Sequence, residues 1–125
     1  MRWEQSLALI YILMVAAVIL FQLCLIFGAL WGKMTQGGSP EGALPVSGRA
    51  VAAVSILVLL FMAAGILSAV ELPPNWAGWT GYTALAIQGL SALLNWITPS
   101  ESERRLWGPI TTLMLALAVG LVLSN

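Results

Sequence analysis

Long uninterrupted apolar stretches dominate the chain, and polar residues gather in the gaps between them. Residues 7–30, 51–70 and 106–123 are three such stretches, and residues 78–97 form a fourth, weaker one that carries Gln88, Ser91 and Asn95 among its leucines. A helix needs about 20 mostly apolar residues to cross a bilayer. Backbone groups in hydrocarbon must be paired internally, which leaves helices or closed barrels. A barrel would alternate apolar and polar positions in segments of about ten residues; these runs are continuous. The expected architecture is therefore an all-α integral membrane protein. It is a compact four-transmembrane-helix bundle, one domain over residues 1–125, with spans near 7–30, 51–70, 78–97 and 106–123.

The connections differ in character. Residues 32–50, GKMTQGGSPEGALPVSGRA, are rich in glycine and proline, carry Lys33, Glu41 and Arg49, and read as the one long loop. Residues 71–77, ELPPNWA, read as a tight turn, because Pro73 and Pro74 stop the second helix. The first run is much longer than the roughly 7–15 residues of a signal-peptide core, so an uncleaved anchor is expected. No internal repeat of the transporter kind stands out.

Residues 98–109, TPSESERRLWGP, hold four of the ten charged side chains. Thr98 suits an N-cap, Pro99 the first helical position, and Glu101 stands at capping-box spacing from Thr98. Glu101 also brings negative charge to the positive first turn, and pairs at i,i+4 with Arg105. Pro109 predicts a bend between Arg105 and Pro109, with a short interfacial segment before the last span. Arg104 and Arg105 would then reach lipid phosphates while Trp107 marks the interface. These residues, with Glu101, are the candidate contacts for lipid or a partner. A sharper alternative makes Glu101, Glu103, Arg104 and Arg105 a catalytic or headgroup-binding cluster, since paired carboxylates can move protons and arginines clamp phosphate.

Gln88, Ser91 and Asn95 are spaced by three and four residues, so they share one helical face that Ala84 extends. Amides in hydrocarbon need partners. The stripe reads as glue between helices, with Gln22 of the first span as a candidate partner, or as the lining of a polar cavity. Gly28 and Gly32, Gly65 and Ala69, and Ala116 and Gly120 are spaced for close helix contact. Cys24 reads as a small core residue.

Charge sets orientation. One side of a four-span bundle would carry Lys33, Arg49, Arg104 and Arg105, the other only Arg2. The positive-inside rule then puts loops 32–50 and 98–105 in the cytoplasm and both termini outside, in a plasma or bacterial inner membrane. All six tryptophans fall near predicted span ends, where indole prefers the headgroup level.

Composition removes most chemistry. The chain is 60% hydrophobic and 8% charged, far from the roughly 25% charged residues of a soluble domain. Its net charge is zero, which leaves no electrostatic footprint for nucleic acid. Histidine and aspartate are absent and cysteine occurs once, so no metal site, catalytic triad or cofactor is expected. No phosphate-binding loop or dinucleotide-binding glycine pattern occurs. No charged residue lies deep in a span, which argues against proton coupling. The expected role is non-catalytic binding of membrane phospholipids, of another membrane protein or of a second copy. The alternatives are an oligomeric transporter or channel for small solutes, and a membrane enzyme with a lipid-like substrate.

Overall fold

The computed structural model describes residues 1–38 and 42–124; Glu41, expected in the long loop, lies outside them. Four α-helices form: α1 (Trp3–Ile26), α2 (Val46–Ala69), α3 (Trp79–Ile97) and α4 (Glu101–Leu123). The all-helical expectation holds. Three of the four, α1, α2 and α4, are long and apolar enough to cross a membrane. The 19-residue α3 is not among them, because Gln88 and Asn95 offset its leucines.

Side-chain contacts between helix ends fix an up-down-up-down order. Arg2 and Gln5, at the start of α1, both donate to the Val70 carbonyl just beyond α2. At the opposite end, Arg49 in the first turn of α2 donates to the Ile26 carbonyl, the last of α1. Gly108 near the start of α4 lies against the Trp96 ring near the end of α3. Gly81 at the start of α3 lies near Val122 at the end of α4. Lys33, Arg49, Arg104 and Arg105 thus gather at one end and Arg2 lies at the other. Trp31, Trp96 and Trp107 occupy the first end; Trp3, Trp76 and Trp79 occupy the second.

Local chemistry explains the helix ends. Gly28 adopts φ 99°, and the Gly28 and Ala29 amides turn back onto the Leu25 and Cys24 carbonyls. This left-handed turn ends α1 at Ile26, four residues short of the apolar run. Gly28 and Gly32 therefore lie outside the α-helices, and their spacing makes no contact between α-helices. The α2 helix starts at Val46, directly after Pro45, and so takes in residues that composition assigns to the loop.

The start of α4 differs from expectation in two ways. Its N-cap is Ser100, not Thr98: the Ser100 hydroxyl accepts from the Glu103 amide at 3.2 Å. Thr98 instead accepts from the Ser100 amide through its own hydroxyl. The expected interfacial segment does not form either, since α4 runs unbroken from Glu101 through Pro109 to Leu123. Proline removes one backbone donor from a helix interior. Here the other bonds of a 23-residue helix packed along α3 keep it whole.

The main core joins Tyr11 and Val15 of α1, Met62 and Ile66 of α2, and Met114 and Leu121 of α4. The outer surface is apolar as well: Leu13, Leu20, Leu57 and Leu93 are more than half exposed. Nearest the turn that joins α2 and α3, small residues let the two helices touch. A Cβ placed on Gly65 would stand 2.6 Å from the Thr80 carbonyl oxygen, and one on Gly81 would stand 3.3 Å from the Ala69 methyl. The Gly65–Ala69 spacing thus serves contact within the chain.

Candidate lipid-binding cleft

The tight contact between α2 and α3 does not continue along their length. Beyond Gly65 and Ala84 the α2 side chains become Met62, Leu59, Val58 and Val54, and the helices part like the arms of a fork. A cavity of about 460 Å³ fills the fork, with Val18 and Gln22 of α1 and Thr111 and Met114 of α4 at its back. Val51, Val54 and Val58 on the α2 arm are exposed at 51%, 59% and 37%, so the cleft opens sideways from the bundle. Its lining carries no charged side chain.

The polar groups of the cleft come from the predicted stripe, with different partners. Gln88 is 1% exposed. Its Oε1 accepts from the Tyr11 hydroxyl at 2.7 Å, and its Nε2 donates to the Thr111 carbonyl at 3.2 Å. This amide links α1, α3 and α4 in one bond set. Gln22 is not its partner; Gln22 lines the same cleft and has no hydrogen bond from its side chain among the described residues. Ser91 also lines the cleft, while Asn95, one turn on, donates to the Ser91 carbonyl at 2.8 Å within its own helix.

A second cavity, of about 620 Å³, adjoins the first and shares Ile87 and Ser91 with it. It runs along α3 past Leu90, Leu94 and Asn95 to the end of the bundle, where Gln36, Gly37, Thr98 and Glu103 close it. The two lie side by side at Ile87 and Ser91, and the groove they outline is apolar along its walls and polar at its end. Each volume falls within the roughly 300–1,000 Å³ usual for small-molecule sites.

The residues of the 98–109 stretch do not converge into one cluster. Glu101 and Arg105 pair on the exposed side, at the predicted i,i+4 spacing. Arg104 turns away and donates to the Thr98 carbonyl at 2.9 Å. Glu103, 8% exposed, accepts from the Gly37 amide at 3.3 Å. Trp107 is no simple interface marker: its indole N–H donates to the Met34 carbonyl at 2.9 Å, and its ring meets Phe21 edge-on. The Ser100 hydroxyl donates to the Lys33 carbonyl. The start of α4 thus clamps the loop at three successive places. The 3-10 turns Gly32–Met34 and Gln36–Gly38 are held there, and Gly38, at φ 84°, passes so near Ser100 that a Cβ would stand 2.6 Å from its Cβ.

Sequence reasoning missed Tyr11, Thr111 and Gln36. Tyr11 carried the one available signal, a phenol hydroxyl inside an apolar run that had to find a partner. Among the described residues no three of His, Cys, Asp and Glu come together as metal ligands. Comparisons of the chain with protein-family models, with curated proteins and with solved structures give no match, so the functional reading rests on this groove alone.

Proposed function

We propose that this chain is a four-span membrane protein, α3 included, that holds the hydrocarbon chain of a membrane lipid in the cleft between α2 and α3. The role is non-catalytic binding. The observation that carries it is the sideways-open, uncharged cleft of about 460 Å³. Within a bilayer the solvent is lipid, so a groove that opens sideways is filled by acyl chain unless another protein covers it. The polar side chains of α3 support its inclusion as a span. Gln88 is buried and Ser91 and Asn95 are half-buried, while Leu90, Leu93, Leu94 and Ile97 are more than half exposed. The mean hydropathy of α3 thus understates how apolar its outer face is. The same reading places the Lys33–Arg49–Arg104–Arg105 end in the cytoplasm of a plasma or bacterial inner membrane, with both termini outside.

The test is native mass spectrometry after extraction in native lipid discs. The 13.3 kDa monomer is expected to retain lipid. Val54→Trp and Ser91→Trp should fill the cleft and strip that lipid, whereas Leu13→Trp, on an exposed face of α1, should not. Equal retention by all of them would sink the proposal. A second protein retained in place of lipid would assign the cleft to a partner. A lipid-free homo-oligomer would favour transport.

A further inference from the structure

The groove ends on one charged side chain, the Glu103 carboxylate, that no neighbouring side chain neutralises. Glu103 is more than nine-tenths buried and lines the end of the groove. Its hydrogen bond comes from a neutral donor, the Gly37 amide, at 3.3 Å. No lysine or arginine pairs with it; the ion pairs among the described residues are Arg2 with Glu4, Arg2 with Glu71, and Arg105 with Glu101. Arg104, the next residue, does not itself line the cavity. It too has no carboxylate partner, and the bond it makes is to the carbonyl of Thr98, itself a lining residue of the groove end. A guanidinium has five N–H donors in a fork suited to phosphate. Glu103 and Arg104 are consecutive, and side chains one residue apart on a helix point about 100° from each other, so they cannot neutralise each other.

The groove thus leads to a buried carboxylate, and the Arg104 guanidinium stands behind the Thr98 carbonyl at the same end of the bundle. Resting on the lipid-binding reading above, we propose that the groove selects a zwitterionic aminophospholipid, with its ammonium at Glu103 and its phosphate at Arg104. The acyl chain runs up the cleft past Ser91 and Val54. Asn95 and Gln36, polar residues of the same groove end, face the glycerol and headgroup region. An anionic lipid without an amine would meet Glu103 with nothing to offset it. A fully methylated choline head keeps the charge but has no N–H to donate, so it should rank between the two.

The experiment is a headgroup competition on the intact protein. Wild-type protein is reconstituted in discs holding phosphatidylethanolamine, phosphatidylcholine and phosphatidylglycerol in equal amounts with identical chains, and retained lipid is read by native mass spectrometry. The expected result is enrichment of phosphatidylethanolamine over phosphatidylglycerol by about tenfold, the ratio that one charge-assisted hydrogen bond of modest strength supplies. Glu103→Gln should abolish that preference while lipid is still retained. Arg104→Gln should weaken retention of all three and leave the order unchanged. Retention in equal proportions by wild type would overturn the headgroup assignment and leave the cleft as a chain-binding site. No retention would overturn both. The wild-type comparison needs no variant, so misfolding of Glu103→Gln would not blunt it.

Discussion

An amide removed from water must find donors and acceptors within the protein, and Gln88 finds one of each on two other helices. Tyr11→Phe removes the donor and leaves Gln88 Oε1 unpaired. The expected loss of stability is about 0.6 kcal/mol, the average for hydrogen bonds between membrane helices, and at most about 1.7 kcal/mol. Gln88→Leu removes the other partner, and the double variant should lose less than the sum of the two single losses. Unfolding in mixed micelles measures all three; strict additivity would show that the 2.7 Å contact contributes no coupling. The same scale explains the 98–109 stretch. The Glu101–Arg105 pair was legible because helical spacing alone brings the two together. The tasks of Ser100, Glu103 and Trp107 were not legible, because their partners are backbone groups of a loop about 65–75 residues away in sequence.

At the scale of elements, small residues decide where helices touch and where they part. Gly65 faces the Thr80 carbonyl and has no room for a side chain, while a Cβ on Gly120 would meet nothing within 4 Å. Gly65→Ala is therefore expected to destabilise by about 1–3 kcal/mol, through the shift it forces between α2 and α3. Gly120→Ala should be neutral or stabilise by up to about 1 kcal/mol, since alanine is the better helix former. Thermal unfolding in detergent compares the two; equal effects would mean that the neck is not tight. The glycine spacings in the sequence are alike, and only packing tells them apart. Element boundaries behave in the same way. The apolar run stays hydrophobic to Leu30, yet Gly28 ends α1 earlier because its backbone turns left-handed there.

At the scale of the whole molecule, the four cations that composition assigns to one side do lie at one end of the bundle, opposite Arg2 and the turn between α2 and α3. An alkaline phosphatase fused at the C-terminus should be active and a fluorescent protein fused there dark, as the proposed orientation requires. The reverse pattern would invert the orientation. Hydrophobic run lengths and helical spacing are properties of a single stretch of chain, so the sequence by itself determined the helical class, the number of α-helices, the shared face of Gln88, Ser91 and Asn95 on α3, and the Glu101–Arg105 pair. Tertiary structure alone decided the rest: that Tyr11 and not Gln22 meets Gln88, that Ser100 caps α4 and α4 clamps the loop, and that α2 and α3 touch at Gly65 and part beyond it. Each of those depends on distances between segments remote in sequence. No period, propensity or count along one segment carries that information, because it arises only when the segments share one packed interior.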